Sequence, residues 1–306
     1  MNGDAVVALI GAGLIGRSWA YLFACNGFAV RLYDPDTEAR DRAKDWLEGQ
    51  GVTNLLLTGA LDEALRGSAY VQESVPERLE VKQAIYTSIA PFLEEDAIVA
   101  SSTSALEPDM LFENCPFRER ALVAHPTNPP HVLPAVELAT SRWTSSETLA
   151  RTRSLMERAG QAPIVLKRVL PGFVVNRLQA ALVNEALALV ADGVADPDDI
   201  DVAVRQALGL RWAFIGPFET MDLNAAEGFE QYARIFGPVL GGLARDIASR
   251  TVNPWTTDAP AEVARTRRSM LPLEELAART AWRDANIQSL RVLKAAGLSP
   301  TESLPK

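Results

Sequence analysis

A glycine-rich turn between two apolar strands places the strongest constraint on how this chain folds. The run from Ala5 to Ile10 is apolar throughout, which is typical of a strand buried in a parallel sheet. It continues directly into the sequence GAGLIG. A helix is predicted from about Leu14 to Gly27, before a second apolar strand from Phe28 to Tyr33. A glycine-rich turn alone is a weak signal, but this order of strand, turn, helix and strand predicts a Rossmann-type dinucleotide-binding domain.

The turn and the acid that ends the second strand predict which dinucleotide binds. The first glycine permits the tight turn, the second lets backbone N–H groups approach a pyrophosphate, and the third brings helix and strand together. The predicted cofactor contacts in the turn are Gly11, Gly13, Leu14, Ile15 and Gly16. Asp34 follows eighteen residues after Gly16 and should bind the ribose hydroxyls and repel a 2′-phosphate, so NAD is predicted rather than NADP. Nearby Arg31 and Arg40 are interpreted as surface charges.

A second stretch, from Ala121 to Ala139, carries the residue types needed for proton transfer. An apolar strand ends at His125, several prolines follow from Pro126, and an apolar pattern then returns with Glu137. Because proline cannot donate to a sheet ladder, we expect His125 to be presented from a rigid loop and not buried in a strand. A histidine titrates at about pH 6.5, and a carboxylate could hold its second ring nitrogen. On this stretch alone, a solvated histidine after a capped strand explains the pattern at least as well.

A serine-rich turn follows a further predicted strand, Ala97 to Ser101, and has two interpretations. Ser104 and Glu107 stand three residues apart, which fits a capping box at the start of a helix. The alternative places the Ser104 hydroxyl in the cleft at the carboxyl end of the sheet, where folds of this class bind their ligands. The residues of the turn leave both interpretations open.

The alternation of strands and helices stops at Pro171-Gly172, where we predict a domain boundary. Residues 1–170 are predicted to form an α/β, Rossmann-type NAD-binding domain, and residues 171–306 an all-α C-terminal domain for substrate and dimer contacts. One helix is expected from Phe173 to Val190. Another is expected from Asp196 to Gly209, by its cap, its first-turn proline and its terminal glycine.

Composition excludes several classes of protein. The 306 residues carry a net charge of −9, from 30 basic and 39 acidic side chains, so we expect no basic surface for nucleic acid or for an anionic membrane. The two cysteines, Cys25 and Cys115, show no metal-ligand spacing, which predicts no metal site and a reducing, cytoplasmic compartment. Neither a secretory signal nor an apolar run of the ~18 residues needed for a membrane span is expected.

Several longer stretches resemble the 3-hydroxyacyl-CoA dehydrogenase family, and within it the branch of lambda-crystallin and L-gulonate 3-dehydrogenase. They are GLIGRSWAYLFACNGFAVRLYD, VQESVPE, HPTNPPHVLPAVEL, PGFVVNRLQ, RWAFIGPFETMDLN and LAARTAWRD. Together these segments span nearly the whole chain. The resemblance implies a two-domain, NAD-dependent dehydrogenase, commonly a homodimer through its helical domain.

The resemblance also implies roles for single residues. His125 matches the family's catalytic base, and Glu137 matches the carboxylate that orients it. Ser104 and Asn176 match polar contacts to the substrate oxygens, and Asn128 lies in the same motif as the histidine.

The resemblance extends to the nicotinamide half of the cofactor site, but one segment departs from the family. Glu77 and Lys82 match the E-x-x-x-x-K stretch that the family places beside the nicotinamide. Residues 35–69 are shorter than the helical excursion that helps hold the CoA tail in acyl-CoA enzymes. The basic residues here are interleaved with acids, not clustered: Arg40, Arg42, Lys44 and Arg66. This counts against CoA binding.

These features predict NAD-dependent oxidation of the C3 hydroxyl of a small 3-hydroxy acid, as in L-gulonate 3-dehydrogenase, with the keto acid as product. Two alternatives stay open: a dehydrogenase for 3-hydroxyacyl-CoA or carnitine, and a non-catalytic, crystallin-like NAD-binding protein. A free carboxylate needs a cationic partner, and Arg211 is the predicted one, although a surface ion pair explains this arginine as well. His131 is interpreted as structural or solvated.

Overall fold

The structure, a computed structural model, describes residues 5–297. The chain divides into two compact units, one ending at Arg177 and the other beginning at Leu178. The first contains the sheet and the second is helical, as the predicted fold class requires. The predicted domain boundary between residues 170 and 171 stays a prediction.

The first unit is built on one eight-stranded sheet in the order β3-β2-β1-β4-β5-β6-β7-β8. The strands are β1 Val6–Ile10, β2 Ala29–Tyr33, β3 Leu56–Thr58, β4 Ser68–Glu73, β5 Ile98–Ser101, β6 Ala121–Pro126, β7 Ala135–Thr140 and β8 Ala162–Val165. Within the described residues, β6 and β7 form the antiparallel pair and the other neighbouring strands are parallel. The strand order reverses beside β1, so the carboxyl ends of β1 and β4 flank the crevice where such sheets bind ligands.

Helices cover both faces of this sheet. They are α1 Leu14–Cys25, α2 Thr37–Gly49, α3 Leu61–Leu65, α4 Leu79–Ile89, α5 Pro108–Phe112 and α6 Ser146–Arg158. The side chains of β1 alternate between two cores because successive strand residues face opposite ways. Val7 and Leu9 pack with Trp19 of α1, whereas Ala8 and Ile10 belong to the cluster that contains Tyr86 of α4. This two-sided burial explains why the parallel strands are almost continuously apolar.

The second unit contains helices throughout. They are α7 Val175–Ala191, whose first turn lies in the first unit, α8 Pro197–Ala203, α9 Gly209–Trp212, α10 Pro217–Leu223, α11 Gly228–Ser249, α12 Ala259–Met270 and α13 Leu276–Gly297. In residues 5–297 no helix is both long enough and apolar enough to cross a membrane.

The predicted stop at Gly209 is wrong. The helix begins at Pro197 as expected, but it passes through a π-helical turn, Val204–Leu208, and continues into α9. Gly209 has a helical backbone, and a Cβ added there would lie 3.1 Å from the carbonyl oxygen of Val204. The glycine therefore relieves crowding inside the helix, and it does not end it.

Candidate active site

His125 and Glu137 form a hydrogen-bonded pair across two neighbouring strands. The antiparallel register places the two residues directly opposite each other, with His125 Nδ1 2.8 Å from Glu137 Oε2. The expectation that His125 projects from a loop is wrong: it lies within β6 and is only 8% exposed. The strand continues past the histidine because Pro126 still pairs with Val136, so the rigid, proline-rich loop begins only afterwards.

The Glu137 carboxylate also holds the start of α7. Its Oε1 accepts hydrogen bonds from the backbone N–H groups of Val174, at 2.7 Å, and Val175, at 3.0 Å. Burial raises the pKa of Glu137, but the hydrogen bonds from His125 and from these two N–H groups outweigh burial and leave the pKa below its ordinary value. An ionised carboxylate only accepts hydrogen bonds, so His125 Nδ1 must carry the proton. In the neutral ring, Nε2 is then the basic nitrogen.

The segment before α7 contributes a residue that sequence reasoning missed. Phe173 is 2% exposed, packs its ring against that of His125 at 5.4 Å, and has a left-handed backbone with φ of 48°. Such a conformation in a bulky residue costs about 1–3 kcal/mol and persists only where the surroundings hold it. Here the two N–H groups that follow Phe173 are bound by Glu137. Asn176 lies next in the chain, half-buried in the first turn of α7.

Ser104 lies beside Glu77 and is not a helix cap. The helix that follows begins at Pro108 with Glu107 in the capping position, so the capping-box interpretation is wrong. Glu77 Oε1 instead gathers the turn, because it accepts hydrogen bonds from Thr103 Oγ1 at 2.5 Å and from the Ser104 backbone N–H at 2.8 Å. Ser104 Oγ lies 3.3 Å from the same oxygen.

Lys82 is buried in a cluster of acids, one of which the sequence did not point out. Its ammonium lies 2.7 Å from Glu73 Oε1 and 3.3 Å from Glu77 Oε2. Glu73 is fully buried, and its Oε2 also accepts hydrogen bonds from Tyr86 and Ser101, at 2.7 and 2.6 Å. An acid at the end of the buried strand β4 was the available signal for Glu73. Partial burial raises the pKa of Glu77, but the Thr103 hydrogen bond and the Lys82 charge leave it lowered.

His125, Ser104, Glu77 and Lys82 line one small cavity of about 290 Å³, whereas Asn176 is not among its lining residues. Its lining residues are Ile15, Ser74, Val75, Glu77, Lys82, Ser102, Ser104, His125, Pro126 and Asn128. The structure thus brings together most of the predicted site. Arg211 lies exposed in α9 of the helical unit, and its contact with a substrate stays a prediction. His131 is structural, as interpreted: its Nδ1 lies 2.6 Å from Ser18 Oγ, and its ring packs against Trp46.

A second cavity, of about 780 Å³, adjoins the first and shares Ser74 and Val75 with it. Gly11, Gly13 and Asp34 are among its lining residues. Two backbone N–H groups orient the Asp34 carboxylate, that of Ala12 at 2.8 Å and that of Asp36 at 3.0 Å. The acid is thereby held at the end of β2, where a ribose can meet it.

The glycines of the turn fit a dinucleotide. A Cβ on Gly11, whose φ is +101°, would lie 2.8 Å from the carbonyl oxygen of Ser74, and one on Gly16 would lie 1.8 Å from that of Gly11. Both positions therefore require glycine for the close approach of strand, turn and helix. At Gly13 an added Cβ meets no protein atom within 4 Å, so the missing side chain leaves open space in front of the helix N-terminus. That space and the N–H groups around it suit a pyrophosphate.

Two arginines close to Asp34 in the chain are more than the surface charges expected. Arg40 donates to the backbone carbonyl of Asp34 at 2.6 Å and to Thr37 Oγ1 at 2.9 Å. Arg31 donates to the backbone carbonyl of Glu63 at 3.0 Å. Both guanidinium groups tie together the loops around β2, which explains why arginine occurs beside an acid that should face a ribose.

The chain matches the domains of one family in sequence. Residues 6–169 match the NAD-binding domain of 3-hydroxyacyl-CoA dehydrogenase, and residues 172–254 match the C-terminal domain of the same enzyme. The chain therefore belongs to the 3-hydroxyacyl-CoA dehydrogenase family. It is an NAD-dependent oxidoreductase of that type, as the sequence predicted.

Within the family, the relatives include lambda-crystallin homologues. The chain is 40% identical to the lambda-crystallin homolog of Bos taurus, over 94% of this chain and 95% of that one. It is 37% identical to the L-carnitine dehydrogenase of Pseudomonas sp, over 76% of this chain and 77% of the relative. Among solved structures, an NAD+ dependent dismutase, 5-formyl-3-hydroxy-2-methylpyridine 4-carboxylic acid 5-dehydrogenase, superposes with a TM-score of 0.81 at 28% identity, covering 95% of this chain and 99% of that one.

Proposed function

We propose that this protein oxidises the C3 hydroxyl of a small, free 3-hydroxy acid of the L-gulonate type, with NAD as the cofactor. The observation that carries the proposal is the buried His125–Glu137 pair. His125 of this pair borders a cavity of about 290 Å³ that shares lining residues with the dinucleotide cleft. A base, a small substrate and a hydride acceptor therefore have adjoining places.

The protonation pattern of the pair suits general-base chemistry. His125 Nε2 takes the proton from the substrate hydroxyl while the Nδ1–H stays bonded to Glu137. The imidazolium that forms is stabilised by the ionised carboxylate beside it. NAD, when bound at the glycine turn, would supply the acceptor for the hydride that leaves C3 as that carbon becomes a carbonyl. His125 returns its proton to the ketone oxygen when the reaction runs in the other direction.

The remaining polar residues orient the substrate and the nicotinamide half of the cofactor. Ser104 and Asn128 line the cavity with His125, and Asn176 follows the two residues that Glu137 holds. We assign these three to the oxygens of the substrate. Glu77 and Lys82, locked together at 3.3 Å, border the same cavity and are assigned to the nicotinamide side.

The charge pattern of residues 35–69 supports a free acid over a CoA thioester. Each of three cations there lies within ion-pair distance of an acid: Arg42 with Glu38, Lys44 with Glu48 and Arg66 with Asp62. Exposed pairs of this kind contribute little stability, ~0–1 kcal/mol each, but they place a negative charge beside each of these three cations. Such a surface attracts the phosphates of CoA weakly.

We assign the carboxylate of the free-acid substrate to Arg211.

Two relatives support a small substrate through their names. One is a dehydrogenase of L-carnitine, and the other of a pyridine carboxylic acid. The two alternative functions make different demands. A thioester substrate is favoured by the family's own description, and a non-catalytic role by the lambda-crystallin homologues. A purely structural protein has no need of a buried histidine–glutamate pair beside a dinucleotide cleft.

The deciding experiment is NADH formation by the purified protein with four substrates: L-gulonate, 3-hydroxybutyrate, L-carnitine and 3-hydroxybutyryl-CoA. We expect the largest kcat/KM with a free 3-hydroxy acid. A higher value with the thioester would replace the proposed substrate class. Turnover with none of the four, in a protein that binds NADH, would favour the non-catalytic alternative.

A further inference from the structure

A chain of hydrogen bonds beneath the cofactor cleft has a direction that the donors and acceptors determine. It runs from Tyr70 through Gln72 and Ser102 to Ser74. Trp19 joins it at Ser102. Ser74 lines both cavities, at the junction between them.

The orientation of the Gln72 amide sets the start of the chain. Its Nε2 lies 3.2 Å from the backbone carbonyl of Ala124, which can only accept, and its Oε1 lies 2.6 Å from the Tyr70 hydroxyl. The nitrogen must therefore face Ala124 and the oxygen must face Tyr70. The same nitrogen donates to Ser102 Oγ at 2.7 Å.

The proton of Ser102 then has one destination. Ser102 Oγ accepts from Gln72 and also from the indole N–H of Trp19, at 3.2 Å, which is a donor only. A hydroxyl oxygen has two lone pairs, and both are used. Its own O–H must therefore donate to Ser74 Oγ, 2.8 Å away.

Ser74 is left with a proton to donate. Within residues 5–297, Ser102 is the hydrogen-bond partner of the Ser74 hydroxyl, and in that bond Ser74 accepts. The backbone of Ser74 lies against the glycine turn, because a Cβ on Gly11 would come within 2.8 Å of its carbonyl oxygen. Ser74 also lines the same cavity as Gly11 and Gly13. The residue that carries this available O–H therefore lies beside the turn whose N–H groups suit a pyrophosphate.

We propose that the Ser74 hydroxyl donates a hydrogen bond to a pyrophosphate oxygen of the bound dinucleotide. Ser102 is the positioning residue that orients it. Neither role depends on which substrate the enzyme oxidises, so the proposal can fail or succeed separately from the proposed function.

The test measures ligand affinity with three probes and one matched control. In Ser74→Ala, we expect NADH and ADP, which both contain the pyrophosphate, to bind about tenfold more weakly, as expected for a lost hydrogen bond to a charged group. Adenosine, which lacks the phosphates, should compete as well as it does in the wild type. Ser88→Ala is the control. Ser88 lines the same cavity, but its hydroxyl already donates a hydrogen bond to the Ala84 carbonyl at 2.9 Å. Its affinity for NADH should stay within about twofold of wild type.

Three results would overturn the assignment. The first is NADH affinity of Ser74→Ala within about twofold of wild type, at an unchanged Tm. The second is an equal loss for adenosine, which would place the effect on the nucleoside. The third is a loss of affinity for NADH but not for ADP. This result would assign the contact to the nicotinamide ribose and not to the pyrophosphate.

A double-mutant cycle tests the direction of the chain. Ser102→Ala should weaken NADH binding about threefold when Ser74 is present, because the hydroxyl loses the group that orients it. In the Ser74→Ala background the same substitution should have no further effect. Equal effects in both backgrounds would mean that Ser102 acts on binding by another route. The cycle is measured below the Tm of each variant, since Trp19 and Gln72 lose an acceptor.

Discussion

At the scale of single residues, the proposed chemistry depends on one imidazole whose two nitrogens face different partners. Glu137 binds His125 Nδ1 at 2.8 Å and binds the N–H groups of Val174 and Val175 with its other oxygen. One carboxylate therefore orients the base and the chain that leads to Asn176. The geometry of the proposed base and that of Asn176, the proposed substrate contact, are set by the same side chain.

The first prediction concerns the base itself. His125→Asn should lower kcat by about 10²–10⁴-fold, the usual contribution of general-base catalysis, and leave the Kd for NADH unchanged. The control is the other histidine. His131→Asn should lower Tm, because the ring bonds Ser18 and packs against Trp46, and should leave kcat nearly unchanged. Steady-state rates and NADH titration measure both. A histidine-125 variant with wild-type turnover would refute the assignment.

The second prediction concerns stability in acid. The pKa of Glu137 is lowered in the folded protein, so the folded state binds fewer protons than the unfolded state at this site. Its stabilising contribution is therefore complete above the unfolded value of about 4.3 and is lost as the pH falls through the folded pKa. In Glu137→Gln this contribution is absent at every pH. Urea unfolding from pH 7 to 3 should show the wild-type and variant free energies converging in acid, and parallel curves would contradict the prediction.

At the scale of elements, the glycine turn performs two separable functions. Gly11 and Gly16 allow β1, the turn and α1 to touch, whereas Gly13 leaves space open towards a ligand. The first function belongs to folding and the second to binding. The distinction follows from what an added Cβ would meet in each case.

The third prediction separates these functions by making the same substitution, glycine to alanine, at two positions. Gly16→Ala places a Cβ 1.8 Å from the Gly11 carbonyl oxygen, so it should lower Tm and abolish NADH binding together. Gly13→Ala meets no protein atom within 4 Å and has an ordinary φ of −68°, so its Tm should be unchanged. Its Cβ occupies the ligand's space, and NADH binding should weaken by about tenfold or more. Thermal unfolding and NADH titration of both variants provide the test. Equal Tm values for the two would show that the close contact at Gly16 can relax.

At the scale of the whole molecule, the two units differ in how they bury apolar side chains. The sheet unit has two continuous cores, whereas the helical unit has one small described cluster, around Leu187, Val190 and Ala259. No residue of α11 or α13, over the parts described, is buried. Apolar residues recur along one face of α11, where Ile235, Val239, Leu243 and Ile247 are each 44–61% exposed. An exposed apolar stripe of this kind on a helix favours association with another protein surface.

The fourth prediction is that the protein is a homodimer through its helical unit. Light scattering after size exclusion should give twice the mass of the 33.2 kDa chain at micromolar concentration. Leu243→Glu, in the exposed stripe of α11, should shift the protein to monomers, because a buried charge is costly at an apolar interface. Glu94→Gln, on the sheet unit, is a control that should stay dimeric. A monomeric wild type would contradict the prediction.

The cytoplasmic location expected from the sequence also stays a prediction.

The sequence by itself determined what consecutive residues encode. The order of apolar strand, glycine turn, helix, second strand and Asp34 predicted the dinucleotide fold and NAD, because each glycine acts on its own neighbours in the chain. The sequence also pointed to the two residues proposed for proton transfer, a histidine and an acid twelve positions apart. Only the tertiary structure decided that the two lie directly opposite each other in paired strands, with His125 inside β6. Strand register depends on how whole strands pair. The prolines after His125 indicated a loop at this position and not a continuing strand.

Other features of the site come from segments far apart in the chain. Glu77 holds the turn at Ser104, twenty-seven residues later, and Glu137 binds the start of α7, thirty-seven residues later. A local pattern offered a helix cap as one of two interpretations of Ser104 and predicted a helix end at Gly209, because both residue types commonly serve in those roles. Tertiary packing decided otherwise in both cases. Glu77 binds the turn at Ser104, and the helix continues through Gly209. Contacts between distant segments have no local signature, so tertiary structure alone assigns them.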